Sequence, residues 1–279
     1  MAKSAKPPKK PKKSPKLAKT ADRYSLYEQS VQAPDVDVKF FSKVYRSEYK
    51  RKPKVLREDF CGTASVCAEW VKLGPEHVAF GVDLDPEPLE WGRIHNLGKL
   101  QPKQQARVQL IEGDVREVKT APADIVAAQN FSYCVFETRD ELREYFRSSL
   151  EAIADEGIMV LDLFGGYESM EDEREEVTEH DGFDYVWEQH RFDPITHHGV
   201  YKIHFRFPDR SEIKDAFVYE WRLWTIPEVR EVLREAGFSR ADAYWEGTDE
   251  ESGEGTGVYH KREQGECDPA WNAYIVGVK

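Results

Sequence analysis

Residues 55–93 constrain the fold most strongly, because they combine an apolar strand, an acidic turn containing glycine, a helical stretch and a second strand ending in carboxylates. The turn, residues 58–64, reads EDFCGTA, and the second strand ends at residues 81–85, GVDLD. This is the layout of a nucleoside-binding βαβ unit, in which an acid about 20 residues after the turn accepts hydrogen bonds from both ribose hydroxyls. We therefore predict an adenosine-containing cofactor.

The composition of the turn disfavours a dinucleotide. Pyrophosphate binding at a helix N-terminus requires several glycines, but this turn has only Gly62, with Phe60 and Ala64 where two more would be expected. The carboxylate of Glu58 would repel phosphate and attract an ammonium or sulfonium group. A second interpretation, an NAD-dependent oxidoreductase, would also need a catalytic Tyr-Lys or His arrangement, which the sequence does not show.

Five segments resemble, in order and spacing, the successive motifs of class I S-adenosylmethionine-dependent methyltransferases. They are residues 55–64, 81–87, 112–115, 123–126 and 157–162. The resemblance spans about residues 54–164 and implies an α/β, Rossmann-like, seven-stranded methyltransferase sheet with S-adenosyl-L-methionine as cofactor. The chain departs from the family in its first motif, where Phe60 and Ala64 replace the usual glycines.

The resemblance also implies which residues contact the methionine and ribose parts of the cofactor. Glu58 and the Gly62 backbone would lie near the methionine part, and Asp83 would hold the ribose hydroxyls. Phe60 either contacts the cofactor or packs the turn. Asp83 has a local alternative, since it precedes a favourable helix start and could simply cap that helix.

Further candidates concern the adenine and the methyl acceptor. By the same resemblance, Leu84 would lie against the adenine, and Asp114 would accept from its amino group with Val115 beside it; Asp114 could instead be a simple turn residue. Because ligands bind beyond the carboxyl ends of parallel strands, Asn130 and Tyr133 are predicted to position the acceptor. Asn130 is also a candidate cofactor contact, and both residues could instead cap or pack the following helix.

The pattern divides the chain into three parts. Residues 1–23 form a basic tail predicted to be disordered, residues 24–53 a helical cap, and residues 54–279 the methyltransferase domain. Tyr24 and Tyr27 of the cap either cover the methyl-donor pocket or pack on the domain. Alternating strands and helices over residues 54–163 predict a parallel sheet.

Residues 165–224 are predicted to form an antiparallel β insertion, or lid, after strand five. It would contain an acidic loop at 168–181 and three strands at 183–192, 200–207 and 214–224. A helix with Thr225 as N-cap would end at Gly237. Two final strands, 241–246 and 271–278, would flank a mobile lid or linker at 250–257.

Charge and composition restrict the partners. The net charge is −12, but nine Lys or Arg and one Asp lie in residues 1–23, so the remaining chain carries 31 basic and 51 acidic residues. An acidic body disfavours a nucleic-acid substrate except through the tail, which could also be a localisation signal or a solubilising segment. No apolar run approaches the roughly 20 residues of a membrane span. Four scattered cysteines favour reducing cytosol, hence a cytoplasmic protein, and neither they nor the histidines show metal-ligand spacing.

These observations together predict an S-adenosylmethionine-dependent methyltransferase that acts on a small-molecule acceptor by in-line methyl transfer. No general base is evident, which favours either an amine acceptor, since a neutral amine needs no base to react, or a substrate that is already ionised. The aromatic residues of the insertion either wall a pocket for a cationic amine or pack its sheet. The alternative is a non-catalytic methyltransferase-fold binding or regulatory protein, which the altered glycine turn favours.

Overall fold

The computed structural model describes residues 15–248 and 255–279. The strands are β1 Val55–Asp59, β2 Val78–Asp83, β3 Val108–Glu112, β4 Ala123–Ala128, β5 Ile153–Gly165, β6 Arg174–His180, β7 Phe183–Asp193, β8 His198–Arg206, β9 Glu212–Arg222, β10 Arg240–Thr248, β11 Gly255–Lys261 and β12 Trp271–Val278. The α-helices are α1 Arg23–Val31, α2 Pro34–Tyr49, α3 Ser65–Trp70, α4 Pro86–His95, α5 Pro102–Gln105, α6 Arg139–Ala152 and α7 Ile226–Ala236.

The main sheet has the strand order β11-β10-β12-β5-β4-β1-β2-β3. Strands β3, β2, β1, β4 and β5 are parallel, whereas β12, β10 and β11 pair antiparallel. The predicted α/β, Rossmann-like fold with an antiparallel insertion is therefore confirmed. Among the described residues the sheet has an eighth strand, β11, which begins at Gly255, within the segment 250–257 that was interpreted only as a lid or linker. Residues 250–254 of that segment lie outside the described residues.

Helices cover both faces of this sheet. On one face α2 and α3 bury Phe41, Tyr45 and Trp70, and on the other α6 and α7 bury Phe146 and Leu233. Burying each large apolar side chain contributes roughly 1.5–3 kcal/mol, so these two layers fix the sheet. Among the described residues, no helix combines the length and apolar character needed to cross a bilayer.

The N-terminal segment forms two helices separated at Pro34. Asp22 caps α1 by accepting from the N–H groups of Tyr24 and Ser25. The prolyl ring disfavours helical geometry at the preceding residue, and Ala33 has φ −129° and ψ 63°. Apolar spacing alone does not reveal this break.

The insertion is a separate antiparallel sheet with the order β6-β7-β8-β9. Four strands are present rather than three, so the prediction of a loop at 168–181 is wrong for residues 174–180. Strand β6 is an exposed edge strand rich in glutamate, so it carries no alternation of apolar and polar residues. Gly182, with φ +89°, makes the tight turn into β7.

Part of the basic tail has regular structure. Residues 17–19 form a 3-10 turn, and the N–H groups of Leu17 and Ala18 donate to Asp209 and Ser211 in the β8–β9 turn. The prediction of disorder is therefore wrong for residues 15–23. Residues 1–14 lie outside the described residues.

Candidate functional site

A cavity of about 480 Å³ lies at the carboxyl ends of β1 and β2, next to the turn that follows β4. This is the edge where the strand order reverses, between β1 and β4, and where open α/β sheets bind ligands. Three further walls come from α1, from the β1–α3 turn and from β9. The fold therefore forms the cavity where the sequence predicted the cofactor.

The β1–α3 turn contains three residues with positive φ, although only one of them is a glycine. Phe60, Gly62 and Ala64 all have positive φ, at 57°, 51° and 56°. The two non-glycine residues bear a cost of roughly 1–2 kcal/mol each. A side chain at Gly62 would meet no described atom within 4 Å, so the turn borders open space on the cavity side. Phe60 and Ala64 adopt the left-handed backbone conformation that glycine usually provides.

Asp83 joins this turn to the end of β2. The Gly62 N–H donates to Asp83 Oδ2 at 2.7 Å, and the Asp85 N–H donates to Oδ1 at 2.9 Å. Burial raises the pKa of Asp83, opposed by these two hydrogen bonds. A carboxylate has about four acceptor sites, so each oxygen can still accept from a ligand hydroxyl. The predicted helix-capping role falls instead to Asp85, which accepts from the Glu87 N–H.

Two predicted cofactor residues pack around the turn in different ways. Phe60 lines the cavity, and its ring also packs against Phe136 and Tyr145. Glu58 is buried beneath the turn, where its Oε2 accepts from the Cys67 N–H at 2.9 Å. Burial raises the pKa of Glu58 to about 8. The Glu58 side chain does not line the described cavity.

The candidate adenine contacts lie outside the lining of this cavity. Leu84 is 71 % exposed next to Asp83. Both oxygens of Asp114 bind the Arg116 guanidinium, whose hydrogen bonds lower the pKa of Asp114. Val115 is buried, and its carbonyl accepts from Arg57. Arg116 would have to share Asp114 with an adenine amino group.

Asn130 occupies the centre of the site. It has φ +57°, and its N–H donates to Asp162 Oδ2 at 2.7 Å, while the Phe131 N–H donates to Oδ1 at 2.9 Å. Burial raises the pKa of Asp162 to about 7. Asp162 thus holds the β4 turn as Asp83 holds the β1 turn. The sequence contained a signal for this role, a lone acid at the end of the apolar run 157–161.

Tyr133, in contrast, does not reach the site. Its side chain is completely buried in the core and packs against Phe146, and it lines none of the described cavities that Asn130 lines. Burial raises the pKa of Tyr133 well above its usual value. The structure therefore does not support the prediction that Tyr133 positions the acceptor. The short 3-10 turn at Ser132–Val135 rotates this side chain inward.

A second cavity, of about 330 Å³, adjoins the first. The two share Tyr27, Asn130, Tyr219 and Trp221. The second cavity is walled mainly by the insertion, where the rings of Tyr219 and Trp221 stack at 4.4 Å and Trp187 lies 6.3 Å from Trp221. We refer to the first, where the sequence predicts the methyl donor, as the donor cavity, and to the second, beside the predicted acceptor residue Asn130, as the acceptor cavity.

Helix α1 closes the donor cavity from above. Glu28 Oε1 accepts from the Thr63 hydroxyl at 2.5 Å, and Gln32 Oε1 accepts from the Ser65 hydroxyl at 2.6 Å. Leu26 packs into the core of the insertion sheet. These contacts bring Tyr24 and Tyr27 to the donor cavity. Sequence analysis identified the two tyrosines, but not the polar contacts that fix them.

Among the described residues, Glu188, His204 and Asp215 form one cluster whose side chains are close enough together to hold a metal ion. The Asp215 N–H donates to His204 Nδ1 at 2.8 Å, which places the His204 proton on Nε2. Nε2 then donates to Glu188 Oε2 at 2.6 Å. Both ring nitrogens of the buried His204 therefore have hydrogen-bond partners within the protein.

The whole fold is similar to solved methyltransferase structures. A structure described as Streptomyces venezuelae DesVI is 20 % identical, with a TM-score of 0.65 over 93 % of this chain and 98 % of that one. A S-adenosylmethionine-dependent methyltransferase from Clostridium acetobutylicum is 15 % identical, with a TM-score of 0.64 over 91 % and 97 %. CalS10, an amino pentose methyltransferase from Micromonospora echinaspora, is 16 % identical, with a TM-score of 0.63 over 91 % and 96 %. No protein-family model and no curated protein matches the sequence.

Proposed function

We propose that this protein is a S-adenosylmethionine-dependent methyltransferase whose acceptor is a small molecule bearing an amino group. One observation carries the proposal: Asp83 is tied to the Gly62 turn within a cavity that opens onto a second, aromatic cavity. The first provides a place for a nucleoside and the second for an acceptor. Among the similar structures, one is described as binding S-adenosylmethionine and another as a sugar N-methyltransferase.

The donor cavity suits this cofactor chemically. Asp83 supplies acceptor oxygens for ribose hydroxyls, and the open space beside Gly62 allows close backbone approach. Arg23 lines the same cavity and could bind the methionine carboxylate, although it is also paired with Glu87 at 2.7 Å. The roles of Glu58, Leu84, Asp114 and Val115 in cofactor binding stay predictions, since none of these residues lines the donor cavity.

The acceptor cavity suits a positively charged amine before it reacts. The rings of Trp187, Tyr219 and Trp221 line it, and aromatic faces attract ammonium groups. Carboxylates at its edge add to this attraction, since Glu176 and Glu246 also line the cavity. Carboxylates of this cavity can take the proton released by the amine.

The residues of this site chiefly align the reactants. S-adenosylmethionine supplies an electrophilic methyl group; the lone pair of the neutral amine forms the new C–N bond as the C–S bonding pair returns to sulfur. Asn130 lines both cavities and, with its backbone held by Asp162, can orient the amine toward the donor cavity. Fixing the two reactants in this way is a proximity effect.

The non-catalytic alternative loses its main support. It was favoured by the missing glycines, yet Phe60 and Ala64 adopt the required positive φ. An assay with radiolabelled S-adenosylmethionine tests the proposal, using amino sugars and simple amines next to the matching alcohols. We expect labelling of amines but not of alcohols. Cofactor binding without labelling of any acceptor would instead support a binding protein.

A pair of variants tests the acceptor cavity. Glu176 lines that cavity, whereas Glu179 lies on the same edge strand outside its lining. Glu176→Gln should raise KM for the amine by about two- to fivefold with little change in kcat, because a partly exposed charge contributes up to about 1 kcal/mol. Glu179→Gln should match the wild type. Equal KM values for the two variants would contradict charge recognition here.

A further inference from the structure

A largely apolar groove borders the acceptor cavity. Its volume is about 510 Å³, and it shares Phe164, Gly165, Ser169 and Trp271 with the acceptor cavity. The two spaces therefore meet along the end of β5 and the start of β12. We call this space the tail groove.

Trp271 forms the boundary between the two spaces. It pairs with Gly165 across β5 and β12, and a Cβ on Gly165 would lie only 2.3 Å from Trp271 Cζ2. The glycine thus lets the indole lie directly over the strand. The Trp245 ring is 5.0 Å from the Trp271 ring and extends the aromatic surface into the tail groove.

The two spaces differ in chemistry. Glu168, Glu176 and Glu246 line the acceptor cavity. The lining of the tail groove also includes Glu266 and Asp268, but most of it is formed by apolar groups such as Trp245 and Ile226. Met170 also lines the groove and is 46 % exposed. Exposed apolar side chains that continue an apolar groove mark a surface that gains free energy when a ligand covers it.

We propose that the acceptor has two parts: an amino-bearing head in the acceptor cavity and an apolar aliphatic or aromatic body that passes Trp271 into the tail groove. This inference rests on the proposed function and specifies its substrate class. Small-molecule pockets span roughly 300–1,000 Å³. The acceptor cavity alone, at about 330 Å³, lies at the lower end of that range, and the two spaces together lie near its upper part.

A homologous series of n-alkylamines, from butylamine to octylamine, tests this inference. Binding is measured by calorimetry with the full chain saturated with S-adenosylhomocysteine. Each buried methylene contributes up to about 0.8 kcal/mol to binding, so partial burial of the chain should make the affinity for octylamine at least tenfold higher than that for butylamine. The gain, rather than the absolute affinity, is the quantity of interest.

A charge in the tail groove should remove this gain. Met170→Glu places a carboxylate in the groove at a partly exposed position, so folding should be preserved. Val177→Glu is the matched control, since Val177 is 53 % exposed on β6 and does not line the groove. We expect the gain to fall below about threefold in Met170→Glu, whereas Val177→Glu should behave as the wild type.

Two results would overturn the inference: a flat series in the wild-type protein, or the same chain-length gain in Met170→Glu as in Val177→Glu. Failure of the proposed function would look different. In that case S-adenosylhomocysteine would not bind, or it would bind without methyl transfer to any amine. The chain-length gain measures the groove itself and does not depend on turnover.

Discussion

Replacing Glu58 by glutamine should make folding stability less dependent on pH. The carboxyl group is 4 % exposed, and burial raises its pKa to about 8 from an ordinary value near 4.5. The folded protein therefore holds a proton that the unfolded chain releases between these two pH values. Because the folded-state pKa is the higher one, the stabilisation is complete below pH 4.5 and is lost as the pH rises toward 8.

The size of the effect follows from the pKa difference. One pKa unit corresponds to about 1.4 kcal/mol, so titration of Glu58 should lower the free energy of unfolding of the wild type by roughly 3 kcal/mol between pH 4.5 and pH 7. Glutamine keeps an oxygen that can accept from the Cys67 N–H and does not titrate. The Glu58→Gln variant should therefore gain on the wild type as the pH rises and be more stable above pH 7.

Urea unfolding of both proteins at pH 5, 7 and 8.5 measures this change. Glu90→Gln serves as a control, because the Glu90 side chain is 65 % exposed on α4. The stability difference between Glu58→Gln and the wild type should grow by several kcal/mol over this range, whereas Glu90→Gln should show little change. A constant difference for Glu58→Gln would refute the raised pKa.

Two other carboxylates, the buried Asp59 and the half-buried Asp162, lead to further predictions. Asp59→Ala would leave the fully buried Arg57 without its partner at 2.7 Å, so the free energy of unfolding should fall by roughly 3–5 kcal/mol. Denaturant unfolding of the double variant Asp59→Ala/Arg57→Leu checks the cause, because removing the unpaired charge should restore part of the lost stability. The Asp162 carboxylate accepts hydrogen bonds from two backbone N–H groups, and Asp162→Asn would place an amide nitrogen against one of them. The lost hydrogen bond should lower the free energy of unfolding by about 1–3 kcal/mol. Because the turn at Asn130 would be held less firmly, the Asp162→Asn variant should bind S-adenosylhomocysteine more weakly than the wild type. Unchanged affinity by calorimetry would mean that this turn does not contribute to cofactor binding.

Sequence reasoning was most successful where local pattern decides structure. The alternation of strands and helices over residues 54–163, the turn at Gly62 and the position of Asp83 at the end of β2 follow from periodicity and spacing. Helix α7 runs from its Thr225 cap to Gly237, as capping chemistry predicts. These features depend on neighbouring residues, which the sequence shows directly.

The remaining features depend on contacts between distant residues. Strand β6 is formed by pairing along β7, although its glutamate-rich sequence shows no apolar alternation. Asp114 forms an ion pair with Arg116. Tyr133 lies in the core, where it cannot contact an acceptor. Asp162 was visible in its motif, but its hydrogen bonds to the β4 turn require the packed sheet. Side-chain partners of this kind cannot be deduced from spacing alone.

The central claim is that Asp83 and the Gly62 turn bind the nucleoside of S-adenosylmethionine. Calorimetric titration with S-adenosylhomocysteine, with NAD as a control ligand, tests it in the wild type, in Asp83→Ala and in Asp155→Ala, an exposed acid near the amino end of β5. We predict micromolar binding of S-adenosylhomocysteine but not NAD, lost in Asp83→Ala and kept in Asp155→Ala. No binding by the wild type, or unchanged affinity in Asp83→Ala, would contradict the account.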